Sequence, residues 1–166
     1  MVFIDGMNLY HGLKDHGVGT DIDFYKFSLK LAGDDRLIRA YYYNAPYDQR
    51  YEPERYGDQQ RFFGILHRTP YLTLKLGRLI PRAGTYIQKG VDTRLSTDML
   101  TNAFKGNYEV AVLVSGDGDF EPVVEGVKEA GKNIVIATFD IGQSYALFKA
   151  ADDRIQLDAE FFADCY

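Results

Sequence analysis

The chain of 166 residues has one cysteine, no tryptophan and only five prolines, and nowhere do eighteen apolar residues run together. The lone Cys165 leaves no partner for an intrachain disulfide and excludes a thiolate metal cluster, so a reducing compartment is expected. The lack of a long apolar run argues against a membrane-spanning helix. The start, Met1-Val-Phe-Ile-Asp5, has neither the basic stretch nor the apolar core of a secretory leader, so a cytoplasmic protein is expected. Histidines are also scarce. His11, His16 and His67 are not spaced as metal ligands and read as surface or helix residues.

The composition is that of an ordinary folded protein, 46% hydrophobic and 26% charged, and its length suits one domain over 1–166. A net charge of −5 argues against a nucleic-acid partner only on average. Between Arg50 and Arg94 stand nine basic residues (Arg50, Arg55, Arg61, Arg68, Lys75, Arg78, Arg82, Lys89, Arg94) and four acidic ones (Glu52, Glu54, Asp58, Asp92), leaving the rest strongly acidic. Tyr51, Tyr56, Phe62, Phe63, Tyr71 and Tyr86 interleave with these cations. That arrangement suits stacking of unpaired bases, with the phenylalanines better read as core and the tyrosines as candidates.

Along the chain, Val2–Asp5 reads as a strand that Gly6 breaks, followed by a helix from Asn8 to His16. Asp23 caps a second helix to Leu31, Leu37–Tyr43 suits a strand, and Pro53 opens a helix reaching Arg68. Tyr71–Leu76 alternates as a half-buried strand does, and the Gly77 and Gly84 turns point to a hairpin excursion. Lys89-Gly-Val-Asp92 leads into a helix with an apolar stripe at Leu95, Met99, Leu100 and Ala103, stopped by Gly106. Glu109–Val114 and Asn133–Phe139 are almost wholly apolar, as strands covered on both faces must be, and a helix from Phe120 to Ala130 joins them. The expected fold class is therefore α/β, doubly wound around a mostly parallel sheet of about five strands, with helices on both faces.

Two of these strands end in acids: Phe-Ile-Asp5-Gly, and Val-Leu-Val-Ser-Gly-Asp117-Gly-Asp119-Phe. Open α/β sheets bind ligands beyond the carboxyl ends of their strands where the strand order reverses. If the two strands are neighbours, about 4.8 Å apart, their carboxylates face each other and can share one hard cation. With no histidine or cysteine cluster beside them, the oxygen donors favour Mg²⁺ or Mn²⁺ over Zn²⁺. Asp92, at the start of its helix, supplies a third acid. Each also has a plainer reading: a turn or helix cap for Asp5 and Asp92, a favourable first-turn charge for Asp119. Asp98 lies about 240° around the helix from Asp92, so the two cannot hold one ion; it is expected as an outer-shell or second-metal ligand, with a pair to Arg94 at i−4 as its plainer reading.

Three segments, Ile4-Asp5-Gly-Met-Asn8-Leu, Gln88-Lys89-Gly-Val-Asp92-Thr-Arg-Leu-Ser-Thr-Asp98-Met and Val112-Leu-Val-Ser115-Gly-Asp117-Gly-Asp119-Phe120, occur in the order and spacing of one family. On them the chain resembles the NYN domain, a branch of the PIN-like nucleases, and in particular its LabA-like bacterial members. The resemblance implies a Rossmann-like sheet of order 3-2-1-4-5, a Mg²⁺ or Mn²⁺ site at its carboxyl edge, and ribonuclease activity. By position, Asp5, Asp92, Asp117 and Asp119 match the family's acidic set and Asp98 a further acid, while Asn8, Lys89 and Ser115 match its polar surround. Arg94 joins Asn8, Lys89 and Ser115 as an expected substrate contact, and Asp5, Asp92 and Asp117 are the expected metal ligands. The expected partner is single-stranded RNA, with no membrane, and self-association is left open. The main rival is a catalytically silent RNA-binding or regulatory module of the same fold. A Toprim-like site would need a glutamate where Asp5 stands. A dinucleotide-binding turn would need a third glycine after Gly116-Asp-Gly118 and no carboxylate at Asp5.

Overall fold

The computed structural model describes residues 1–82, 85–142 and 144–166, and for residues 79, 81, 82 and 85–88 the backbone only. The expected turn at Gly84 and the side chain of the stacking candidate Tyr86 therefore lie outside what is described. The elements are β1 (Val2–Asp5), α1 (Gly6–Asp15), α2 (Phe24–Ala32), β2 (Ala40–Asn44), α3 (Pro53–Arg68), β3 (Leu72–Leu76), β4 (Arg78–Arg82), β5 (Thr85–Lys89), α4 (Val91–Phe104), β6 (Val110–Val114), α5 (Glu121–Glu129), β7 (Asn133–Thr138), α6 (Tyr145–Ala150), β8 (Asp153–Gln156) and α7 (Ala159–Phe162).

Among the described residues, six of the eight strands form one parallel sheet of order β3-β2-β1-β6-β7-β8, and β4 and β5 pair as a separate antiparallel hairpin. Counted along the chain, the order is 3-2-1-4-5-6. The expected order holds, and the count of five is corrected by one edge strand, β8. Its sequence, Asp-Arg-Ile-Gln, presents only Ile155 partly inward, so it lacks the apolar run that marks a covered strand.

Period-two alternation along each strand divides the core in two. Val2 and Ile4, Ala40 and Tyr42, Val112 and Val114 face one layer with α1, α2, α3 and α7, through Leu9, Leu13, Phe27, Phe63, Leu66 and Phe162. Phe3, Tyr43, Ala111, Leu113, Ile134 and Ile136 face the other with α4, α5 and α6, through Leu95, Met99, Val124, Val127 and Leu147. The chain winds outward in both directions from β1 and β6, so the switch in strand order falls between them. Ile4 lies opposite Val114 in that pairing, and the carboxyl ends carrying Asp5 and Ser115 are adjacent.

The helix caps follow the local sequence. Asp5 and Asp23 each accept hydrogen bonds from two amides at the starts of α1 and α2. Where α1 crosses the end of β7, Gly12 leaves no room for a side chain: an added Cβ would sit 2.2 Å from the ring of Phe139. That ring is itself buried and stacks against Phe162. Alanine in place of glycine favours a helix by about 1 kcal/mol, but forcing extra volume into a packed site costs typically 1–3 kcal/mol. Gly12→Ala should therefore lower the melting temperature by a few degrees, about 2–4 °C per kcal/mol at this size. A raised melting temperature in a calorimetric scan would show instead that Phe139 can move aside.

Candidate metal and nucleic-acid site

Asp5 ends β1 and caps α1, with one carboxylate oxygen accepting the amides of Met7 at 3.2 Å and Asn8 at 3.1 Å. Its other oxygen accepts the hydroxyl of Ser115, at 3.2 Å, from the adjacent end of β6. Ser115 in turn accepts the amide of Asp117 at 3.2 Å, so one buried hydroxyl joins the two acidic segments. A second tie runs beside it, where Asn8 Oδ1 accepts the Gly116 amide at 3.1 Å. Asp117 folds the next turn by accepting the Asp119 amide at 3.0 Å, starting a 3₁₀ turn over Gly118–Phe120. Asn8 and Ser115 thus hold the loop in place, as polar groups around a binding site must.

Asp92 enters from the first turn of α4. Asp5, Asp92 and Asp117 line one cavity of about 470 Å³ at the carboxyl edge of the sheet. Asp5 is only 7% exposed, and burial, with the negative charge of Asp92 added, holds its pKa above the usual carboxylate value against the hydrogen bonds that favour the charge. The pKa of Asp92 is raised as well, first by partial burial and then by the charges of Asp117 and Asp119. Among the described residues no Lys, Arg or His forms an ion pair with any of these four acids. Hard oxygen donors under mutual repulsion fit a divalent cation. The donors are spread rather than caged: among the described residues no three acidic, histidine or cysteine side chains form a ready metal cluster.

The other expected site residues are not gathered here. Asp98 does not line the cavity. Its carboxylate accepts the buried hydroxyl of Tyr43 at 3.0 Å and faces Lys75 at 3.5 Å, while Arg94 donates to the Leu76 carbonyl at 3.0 Å. The expected Arg94–Asp98 pair is thus replaced by three ties between α4 and the β2–β3 edge, because both side chains find partners on the sheet. Lys89 is exposed at the end of β5, near Asp92 in sequence but outside the cavity lining. Nor do the basic residues of α3 form a track into the cavity. Arg55 pairs at 2.7 Å with Glu52, the residue before α3, and Arg61 with Asp58 one turn back in the helix. Tyr51 and Tyr71 are exposed away from the cavity lining, and Phe62 and Phe63 pack in the core as expected.

The cavity has a second wall that the sequence reading missed. Asn8, His11, Gly12 and Asp15 line it from α1, together with Thr138 at the end of β7 and Phe139, Ile141 and Gly142 beyond it. The spacing 8, 11, 12, 15 is that of one helical face, which reading His11 by itself does not show.

The model of the NYN domain matches residues 1–158, and the chain belongs to that family, a branch of the PIN-like nucleases. Nucleases of this family generally use divalent metals. Among individual proteins, the chain is 27% identical over 161 residues to the low amplitude and bright protein LabA of Synechococcus elongatus, covering 95% of this chain and 82% of LabA. It is also 32% identical over 74 residues to an uncharacterized protein of Methanocaldococcus jannaschii, covering 45% of this chain and 31% of that longer protein. The fold matches the crystal structure of a protein of unknown function from Vibrio parahaemolyticus with a TM-score of 0.76 at 22% identity, covering 96% of this chain and 93% of that one. Among the described residues no helix is long and apolar enough to cross a membrane.

Proposed function

We propose that the protein is a divalent-metal-dependent ribonuclease that hydrolyses phosphodiester bonds of single-stranded RNA at its aspartate cluster. The observation that carries this reading is the convergence of Asp5, Asp92 and Asp117 on one cavity with no counter-cation among the described residues. In this reading the three would hold Mg²⁺ or Mn²⁺. The ion, when bound, supplies a Lewis acid for the phosphate and a lowered pKa for the attacking water. Ser115 and the amides of Met7 and Asn8 fix the direction of the Asp5 oxygens, so that little reorganisation is needed as charge develops on the phosphate. Asp119, outside the cavity lining, acts through the field it adds at Asp92. Lys89, on the surface before α4, grips a phosphate outside the cavity. The free, buried thiol of Cys165 suits the reducing cytoplasm, where we place the protein.

The test is cleavage of a labelled single-stranded RNA with Mg²⁺ or Mn²⁺, reversed by a chelator. Lys89→Ala should weaken RNA binding and flatten its salt dependence by about one charge. A wild-type protein inert with both metals would overturn the nuclease reading. The spread donor set favours one alternative, the silent RNA-binding or regulatory module, and binding without cleavage identifies it.

A further inference from the structure

The loop after β7 connects the acidic cavity to an unusual piece of surface. Ile141 and Gly142 line the cavity, and a few positions on, the Ser144 amide donates to the Gly116 carbonyl at 3.0 Å, next to Asp117. The fit there is close: a Cβ on Gly118 would stand 2.7 Å from the Ser144 hydroxyl oxygen. Ser144 then caps α6. This short helix is anchored by Leu147, which is buried, and turns two aromatic side chains outward, Tyr145 at 70% and Phe148 at 37% exposure. Their rings are nearly parallel, 10° apart with centroids 6.4 Å from each other.

Each ring carries a cation. Lys149 Nζ lies 5.1 Å from the centre of Tyr145, and the Arg154 guanidinium of β8 lies 4.5 Å from the centre of Phe148. Among the described residues neither cation forms an ion pair, whereas the nearby Asp152 is already held by Lys128 at 3.2 Å. Exposed rings with unneutralised cations against them, beside a cluster of acids that repels phosphate, have the chemistry of a single-strand binding surface.

We propose that Tyr145 and Phe148, with Lys149 and Arg154, form a base-stacking platform that holds single-stranded RNA alongside the acidic cavity. The identity of the strand rests on the nuclease reading. The rings stack bases without regard to sequence, because every base has a face to offer, while Lys149 and Arg154 follow the phosphates. The acidic cavity then needs few cations of its own, since the grip is supplied next to it.

The experiment is fluorescence anisotropy with a labelled single-stranded 12-mer of uridine at low salt in chelator, where nothing is cut, together with photo-crosslinking of a 4-thiouridine version. Tyr145→Ala and Phe148→Ala should each weaken binding by about 5- to 100-fold, whereas Tyr145→Phe should bind as the wild type does. Lys149→Ala should also reduce the salt slope by about one charge, and crosslinks should map to the peptide containing α6. Wild-type melting temperatures in the two alanine variants would assign the loss to the platform. Unchanged affinity in both, or a wild type that does not bind, overturns the proposal. So does a change in the sedimentation of the variants without a change in RNA binding, which would make this face a contact between protein chains. The two readings fail separately: a wild type that binds through α6 but cuts nothing ends the nuclease reading alone, and platform variants that bind and cut normally end this one alone.

Discussion

Asp5→Asn and Asp117→Asn should each lower metal-dependent RNA cleavage by about 10³-fold or more, while both proteins fold. Loss of a direct ligand removes several kcal/mol of charge stabilisation in the transition state, and each 1.4 kcal/mol is a factor of ten. Asparagine keeps the shape and, at position 5, keeps an acceptor for the Met7 and Asn8 amides, so α1 stays capped. Asp92→Asn should fall in the same range. Asp119→Asn should cost only about 10- to 100-fold, as expected of a group acting through its neighbours. Asp98→Asn should cut within about twofold of the wild type, because that acid answers to Tyr43 and Lys75 instead of the cavity. Initial rates across this series, with a melting curve for each variant, make the test. Equal cutting by Asp5→Asn and the wild type would remove Asp5 from the metal shell, and a large loss in Asp98→Asn would restore that acid to the site.

The second large effect concerns stability without metal. The pKa of Asp5 is raised in the folded protein, so the fold binds a proton more tightly there than the unfolded chain does. Stability from this group therefore falls as pH rises from the ordinary carboxylate range through the raised pKa, and the penalty is fully present above it. Asp92, shifted the same way, adds to this sign. At neutral pH in chelator, Asp5→Asn should consequently melt higher than the wild type, by roughly 0.5–2 kcal/mol of stability. The gap should close as pH is lowered. Saturating Mn²⁺ reverses the ranking: a ligand at a hundred times its Kd adds about 2.7 kcal/mol, or some 5–10 °C at this size, to the wild type and little to the variant. Differential scanning calorimetry at pH 5 and pH 7.5, with and without metal, reads all four conditions. A wild type that melts higher than Asp5→Asn in chelator at pH 7.5 would mean that the hydrogen bonds to Asp5 outweigh its burial.

What the sequence makes legible is what the solvent has already sorted. β1, β6 and β7 are covered on both faces, so their sequences are continuous apolar runs, and the acids at the ends of β1 and β6 mark the switch point directly. β8 escaped notice because an edge strand need not be apolar, and Arg154 and Asp153 there look like loop residues. The acids of the cavity were legible because each stands at the boundary of an element: Asp5 ends β1, Asp117 follows β6 and Asp92 opens α4. The wall formed by His11 and Asp15 was not, since only the return of the chain after β7 makes that face of α1 part of a cavity. The platform on α6 was hidden for a related reason: Arg154 reaches Phe148 only when β8 is laid against β7.

The hydrogen bond between Asp5 and Ser115 closes a span of 110 residues. At 5–20 residues per second, a ribosome delivers the second acidic segment roughly 5–20 s after the first. During that interval β1 has no β6 to pair with, and the cavity has one acid from each of two incomplete walls at most. A growing chain, still tethered within reach of its own messenger, thus carries no assembled acidic centre until β6 and the segment reaching Asp117 have been made.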